Sequence, residues 1–489
     1  MKSMDLKLSN NNYNDKLKKY GFMHICDSLI SGNYESQDLT KLNLLANEFI
    51  MNDNIEFIAE LLTYKTYGLP FLTNLNLNCK VVGDEGIKHL AEALKFNKFL
   101  TVLSIGAGDI CVGAKYIAEA LKINKTLREL NINYNKIGNT GAKFIAESLI
   151  ESHLTVLGLP GNDIDEKGVE ALIAHVPRYL ISLNLNSNDI GEKGAEYIAE
   201  LLKLRKLENS SLHLKNLYLN SNNIGDKGVK YIFESLKFNK YIINLELDNN
   251  NIGEKGAEYI AESLKLCKLE NSSSHLIYLG LGSNNINEKG TKYIAEALVV
   301  HALPHLTTLD LSYNNIGDKG AEYIAESLKN NKSLKNLYLN GNNIGKKGAE
   351  YIAELLKLCK LENSSLHLIY LGLGNNNIGN EGIEYIAKAL NVNKSLKKLY
   401  LYCNNINDNG ADIIINLLKI NKYLIHMDVN GNNINNEKIK IIDNLIIINK
   451  IITEKIVKER TEEKVYLSQF LYSQYITEFL EFFDGINFL

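Results

Sequence analysis

The chain contains no tryptophan, four prolines and five methionines. Beside its heavy use of Asn, Ile, Lys and Tyr, this looks like AT-rich coding, as in intracellular bacteria, amoebae or their large viruses, and it bears on source alone. Long apolar runs are missing as well. Nowhere do eighteen consecutive apolar residues occur, so no segment has the length to cross a bilayer as a helix. Met1 to Asn11 has lysines without the apolar stretch of a secretory signal. The expected location is the cytoplasm, or a host cytoplasm should the source be an intracellular parasite or virus. Cysteine is sparse: Cys26, Cys79, Cys111, Cys267, Cys359 and Cys403 are scattered, with no C-x-x-C pair, which argues for free thiols over disulfides or a metal centre. Charge of one sign is lacking too. Lys and Arg number 54 against 57 Asp and Glu, a net of −3, so no field draws the chain to nucleic acid or membrane.

What is there is one pattern, L-x-x-L-x-L-x-x-N-x-I-G-x-x-G-A-x-Y-I-A-E-x-L. It is written twelve or thirteen times between about Leu72 and Leu445, at a spacing of 26 to 34 residues. Copies opening at Leu127, Leu180, Leu214, Ile242, Leu276, Leu306, Leu334, Leu368, Leu396 and Leu424 are the clearest. Those at Leu72 and Leu100 are weaker, because Lys80 and Gly108 replace the asparagine, and a copy at Leu39 is frayed. Self-similarity at this period predicts a solenoid, since one coil cannot bury its own leucines and must stack on the next. In Leu214-x-x-Leu217-x-Leu219 the alternation turns the leucines to one side of a strand and leaves Asn216, Tyr218 and Asn220 displayed on the other. The asparagine after each strand, such as Asn222 or Asn250, can offer both donor and acceptor to backbone groups turning inward. The second glycine, as at Gly228 and Gly256, opens a helix with an acid just ahead of it, suited to the positive end of the helix dipole. Ile260 and Leu264 then line one helix face, with small Ala261 beside them. Lys203, Lys265, Lys329 and Lys357 follow Glu200, Glu262, Glu326 and Glu354 by three residues.

In its long form, about 28 residues with a full helix, the pattern resembles the ribonuclease-inhibitor-like subfamily of leucine-rich repeats. The subfamily includes ribonuclease inhibitor, the sensor regions of NOD-like receptors and the activator of the Ran GTPase. The resemblance covers about three quarters of the chain. It implies an α/β solenoid, a horseshoe of about 13 coils with a concave parallel sheet and convex helices, whose concave face binds another protein. It leaves the target open.

Other motifs dissolve into the repeat. Gly341-Asn-Asn-Ile-Gly345-Lys346-Lys347 has the look of a phosphate loop but has three residues between glycines where four are needed, and no Ser or Thr after the lysine. Gly280-Leu-Gly282 and Gly372-Leu-Gly374 start like a dinucleotide fingerprint and lack the third glycine. A six-residue extension, K-L-E-N-S-S, lengthens three coils and brings His213, His275 and His367 to matching places. These lie two and three coils apart, about 10 Å at the nearest, too far for shared coordination. Cys267 and Cys359 occupy one equivalent slot, which Arg205 fills in a third coil. Glu246 and Asp248 face the same way on one strand, about 7 Å apart by strand rise, with Asp310 two coils on. On an open sheet they are expected to form a solvated acidic patch with ordinary carboxylate chemistry, not an acid and base pair.

Residues 1–38 are expected to be a lead-in and cap, 39–446 the solenoid, and 447–489 a helical cap over its last apolar layer. The displayed strand positions change along the array. Early coils show Asn76, Asn78, Ser104, Asn131, Asn184 and Asn186, whereas later ones show Tyr278, Tyr338, Tyr370, Tyr400 and Tyr402, with Tyr313 at a strand end. Tyrosine is enriched among residues that dominate binding energy. Gly280, Gly282, Gly372 and Gly374 beside these tyrosines predict a trough, and ridge and trough together a pocket approached by another chain. The helix tyrosines, Tyr197, Tyr231, Tyr259, Tyr293, Tyr323, Tyr351 and Tyr385, are assigned to packing between helices. The resulting expectation is a non-enzymatic, monomeric scaffold without cofactor, metal, nucleic acid or membrane. It binds a partner protein through the six strand-face tyrosines together with Glu246, Asp248 and Asp310. The alternative is regulation of a small GTPase through the same surface.

Overall fold

The computed structural model describes residues 2–6, 39–44, 52–63, 72–78, 82–176, 179–203, 213–269, 275–299, 303–358 and 366–454. The chain divides into two compact units, Met1–Asn315 and Ile316–Leu489. In the first, strands β1 (Lys2–Leu6), β2 (Leu39–Leu44), β3 (Asn74–Asn78), β4 (Val102–Gly106), β5 (Glu129–Asn133), β6 (Val156–Gly158), β7 (Ser182–Asn184), β8 (Asn216–Tyr218), β9 (Asn244–Glu246), β10 (Tyr278–Gly280) and β11 (Thr308–Asp310) lie in sequence order. Helices α1 (Asn52–Thr63), α2 (Asp84–Phe96), α3 (Gly113–Ile123), α4 (Gly138–Leu149), α5 (Glu166–Ile173), α6 (Gly191–Lys203), α7 (Gly225–Ser235), α8 (Glu254–Leu269) and α9 (Asn287–Val299) connect them from β2 onward. The second unit alternates α10 (Gly317–Leu328), β12 (Asn336–Tyr338), α11 (Lys346–Leu358), β13 (Tyr370–Gly372), α12 (Gly379–Leu390), β14 (Lys398–Tyr400), α13 (Asp408–Ile420) and β15 (His426–Asp428). It ends the described residues on a helix over 436–454, α14. Within each unit the strand pairs are parallel, and from β2 onward the described connections are helix crossovers. Both units are leucine-rich-repeat solenoid in architecture.

The alternating leucines behave as their spacing requires. Leu214, Leu217 and Leu219 are buried while Asn216 and Tyr218 are half-exposed. The frayed copy at Leu39 does contribute β2, and the leading segment contributes β1, paired to it through Met4 and Leu42. The rest of the expected N-terminal cap, residues 7–38, and most of the C-terminal one, residues 455–489, lie outside the described residues. So do Cys26, Cys79 and Cys359. Cys111 and Cys403 are free and exposed.

Buried asparagines tie coil to coil. The Asn250 amide nitrogen donates to Leu219 O (2.8 Å) and Asp248 O (3.1 Å), and its oxygen accepts from Asn222 N (3.0 Å). In the second unit Asn376 donates to Leu339 O (2.9 Å) and accepts from Asn342 N and Ile344 N, both at 2.9 Å. Gly108 stands in for this asparagine because the chain there runs against Val82, whose carbonyl oxygen would sit 2.3 Å from an added Cβ. Where an acid stands at the start of a helix it does more than face a dipole. Asp226 Oδ1 accepts from Gly253 N of the next coil at 2.7 Å, and Asp318 accepts from Gly345 N (2.7 Å) and Gly348 N (2.8 Å).

A second asparagine ladder closes the helix ends. Asn97, Asn124, Asn393 and Asn421 donate back to the preceding helix, to Leu62 O, Leu94 O, Leu356 O and Leu390 O. Their oxygens accept two backbone N–H groups of the following turn, Asn421 from Tyr423 (2.8 Å) and Leu424 (2.9 Å). On the outer side the helix tyrosines meet lysines: Tyr259 lies between Lys230 of α7 and Lys255 of its own helix, at 4.9 and 5.1 Å. Lys329 and Lys357 pair with Glu326 and Glu354 as expected, whereas Lys265 reaches Glu296 of the next helix at 2.8 Å instead of Glu262.

Candidate functional site

In the second unit parallel pairing sets the displayed residues in rows. One row is Asn336, Tyr370, Lys398 and His426, and the next is Tyr338, Gly372, Tyr400 and Asp428. Because Gly372 has no side chain, the Tyr370 ring can lie between the two tyrosines that flank the glycine. Ring centroids are 4.3 Å apart for Tyr338 and Tyr370, 4.9 Å for Tyr370 and Tyr400, and 4.8 Å for Tyr400 and His426. The rings are tilted against one another, at interplanar angles of 34°, 32° and 45°. The three tyrosines are half-buried and His426 is exposed. The rings therefore form a continuous ladder across four strands.

His426 was missed in the sequence because it is not a tyrosine. Its signal was positional, since it occupies in the coil at Leu424 the slot held by Tyr370 and Lys398 in the coils before it. Tyr402 stands one row further on, its ring over Gly374.

The expected trough is filled, and the pocket reading is corrected. An added Cβ on Gly374 would lie 2.2 Å from the Tyr402 ring, and one on Gly372 would lie 2.8 Å from the Asn340 side chain. Asn340 Oδ1 also accepts from Gly374 N at 2.9 Å. The glycines make room for this chain's own side chains, not for another backbone. A cavity of about 320 Å³ opens instead among the loops after these strands, lined by residues including Gly341, Asn343, Asn375 and Cys403.

The first unit contains the acidic residues. Glu246, Gly280 and Asp310 are in register on β9, β10 and β11. Asp248 bends over the glycines: Gly282 N donates to its Oδ1 at 2.5 Å, and an added Cβ on Gly282 would lie 3.1 Å from Asp248 Oδ1 and 3.5 Å from Asp310 Oδ1. Glu246 accepts from Asn220 Nδ2 (2.7 Å), and Asp310 from Ser312 N (2.8 Å). The expectation of ordinary carboxylates does not hold. Burial, then the neighbouring Asp310 charge, pushes Asp248 up to about 7. Burial likewise raises Glu246 and Asp310. With glycine on the middle strand the carboxylates lie down on the sheet and lose water, which an open-face picture does not foresee.

Tyr278, one row away in the same unit, has its ring edge 3.2 Å from where a Gly280 Cβ would be. Tyr313 is 47% exposed, in a left-handed turn with φ of 56°. His275 stacks on His305 at 5.5 Å and His213 packs edge-on to Tyr241 at 5.2 Å.

Seven stretches, 124–146, 176–199, 210–233, 302–325, 330–353, 364–387 and 392–412, match the family model described as Leucine Rich repeat. The chain carries leucine-rich repeats. The repeats matched at 330–353, 364–387 and 392–412 are those that hold Tyr338, Tyr370 and Tyr400, all at positions the leucine pattern leaves variable. Among solved structures the chain is similar to an internalin from Listeria monocytogenes, at 16% identity over 80% of this chain and 92% of that one, TM-score 0.41. It is also similar to the complex of Rad7 and Elc1 in yeast, at 16% identity over 80% and 89%, TM-score 0.45. A third similarity is to actin-binding site 2 of leiomodin-1, at 21% identity over 36% and 95%, TM-score 0.30. No curated protein matches the chain.

Proposed function

We propose that the protein is a non-catalytic scaffold whose leucine-rich repeats hold a partner protein on the displayed strand face, anchored by Tyr338, Tyr370 and Tyr400. The observation that supports this most is the ring ladder itself. Three half-buried tyrosines in mutual contact present a pre-ordered amphipathic surface, so little side-chain entropy is lost when a partner settles on it. Leucine-rich-repeat proteins generally act by protein binding, which agrees with this reading.

The test places a photo-crosslinking residue at Tyr370 and, as control, at Tyr385 on α12. The protein captured through position 370 is then purified and titrated against wild type, Tyr338→Ala and Tyr400→Ala. Each substitution is expected to weaken binding by more than about 1 kcal/mol with stability nearly unchanged. Capture through position 385 alone, or two variants that bind like wild type, would sink the proposal.

A further inference from the structure

Several lysines on the helices of the second unit have carboxylates beside them: Lys319 with Glu322 (2.6 Å), Lys329 with Glu326 (2.6 Å), Lys357 with Glu354 (2.5 Å) and Lys388 with Glu384 (2.7 Å). On the strand side, among the described residues, Lys335, Lys397 and Lys398 have no carboxylate within ion-pair distance.

These cations are aligned by the backbone. Ile369 N and Tyr370 N both bond to Lys335 O, and Ile425 N and His426 N both bond to Lys397 O. Lys335, Ile369, Lys397 and Ile425 therefore form a row beside the one that contains Tyr370, Lys398 and His426, so lysine and isoleucine alternate along the edge of the ring ladder. Lys397 is half-buried next to the Tyr423 ring, 4.8 Å from its centroid, and burial alone lowers its pKa. Asp428 is the carboxylate of these rows, and its Oδ1 accepts from Asn430 N at 3.0 Å. Glu362 and Lys360 lie in 359–365, outside the described residues. A patch of cations without counter-ions costs stability through self-repulsion unless something of opposite sign covers it.

We infer that the segment docking on the tyrosine ladder is an acidic stretch of protein, its carboxylates meeting Lys335, Lys397 and Lys398 while its apolar side chains rest on Tyr338, Tyr370 and Tyr400. This rests on the proposed binding face and adds the chemical class of the partner. Single-stranded nucleic acid shares the negative charge but fits the rings poorly. A base slid between two rings needs them about 7 Å apart, twice the rise of about 3.4 Å per stacked base, and the centroids here are 4.3 to 4.9 Å apart. The ring faces are spent on one another, and what remains suits a peptide that packs on edges and pairs its carboxylates with ammonium groups.

The full-length chain is titrated by fluorescence anisotropy with three labelled probes. These are a twelve-residue peptide of alternating glutamate and leucine, its lysine-for-glutamate counterpart, and a twelve-nucleotide oligo-uridylate. The glutamate peptide is expected to bind, more weakly as salt rises, and the lysine peptide to bind at least about tenfold more weakly, a difference of about 1.4 kcal/mol. The triple substitution Lys335→Glu, Lys397→Glu, Lys398→Glu should weaken the glutamate peptide by at least about tenfold. The milder pair Lys335→Gln and Lys398→Gln, which spares the half-buried lysine, guards against a folding defect and should weaken it measurably. Equal binding of the two peptides, tighter binding of the oligonucleotide, no binding of the glutamate peptide, or indifference to the lysine substitutions would each overturn the inference. A partner cross-linked through position 370 by a segment without acidic residues would overturn it while leaving the binding face standing. Capture through position 385 alone would remove the face itself.

Discussion

Asp248 shows how much one residue can depend on its neighbours' missing side chains. Its carboxylate is pressed onto Gly280 and Gly282, and burial and Asp310 raise its pKa from 3.8 to about 7. A raised carboxyl pKa means that the folded state binds more protons than the unfolded state between about pH 4 and pH 7, so stability falls as pH rises through that window. The stabilisation of the protonated form is complete below the unfolded value and gone above the folded one. Asp248→Asn keeps an oxygen for Gly282 N while removing the charge. It should unfold at higher urea than wild type at pH 8, by about 1–2 kcal/mol once partial exposure and coupling are allowed for, and match wild type at pH 4. An equal difference at both pH values would show that no such shift exists. The acids and the glycines were each legible in the sequence. That one leans on the other was not, because the two sit on strands 34 residues apart in the chain.

At the scale of the element, several helix ends are decided by an asparagine. Asn421 makes four bonds: it donates to Leu390 O and Asn393 O and accepts from Tyr423 N and Leu424 N. Asn449 repeats the donor half, to Asn421 O (2.8 Å) and Leu424 O (3.2 Å), but its buried oxygen has no partner. The reason is that α14 continues to 454 instead of turning out toward another strand, so the N–H groups that would serve this oxygen stay in the helix. A buried acceptor without a donor costs about 1–3 kcal/mol, which offsets most of what the two donated bonds contribute. Urea unfolding should therefore find Asn421→Ala destabilising by about 2–4 kcal/mol and Asn449→Ala by less than about 1 kcal/mol. Equal losses would mean that Asn449 is satisfied in solution. The repeated Asn-Lys pair at helix exits is plain in the sequence. Its role was not, since the carbonyl it serves belongs to the previous coil, as with Asn421 and Leu390, 31 residues earlier.

Over the whole molecule, a solenoid must cover its last apolar layer. Ile434, ahead of α14, and Ile442, on it, are buried, but the helix leaves Ile441, Ile447, Ile448 and Ile451 between 44% and 58% exposed among the described residues. Residues 455–489 carry Ile456, Val457, Val465, Phe470 and Phe479 amid Glu and Lys, and their expected task is to cover that face. A chain ending at 454 should self-associate in size-exclusion chromatography at micromolar concentration, because a contiguous apolar patch of this kind invites pairing. A truncated chain that stayed monomeric, with an unchanged melting temperature, would assign those residues another role.

By itself the sequence determined the repeat, the strand and helix of each coil, and which leucines are buried, because periodicity is a local property and stacking coils answer it in the same way each time. It also placed tyrosines on the displayed face. Only the tertiary structure decided what those positions become. Strand register set Tyr370 above Gly372 and between Tyr338 and Tyr400, brought His426 into the same ladder, filled the glycine troughs with Asp248, Asn340 and Tyr402, and lined Lys335, Lys397 and Lys398 along its edge. These relations join residues about 28 to 34 positions apart in the chain. They follow from which row each coil's side chain occupies, and that is fixed by backbone pairing between coils, not by any one coil's composition.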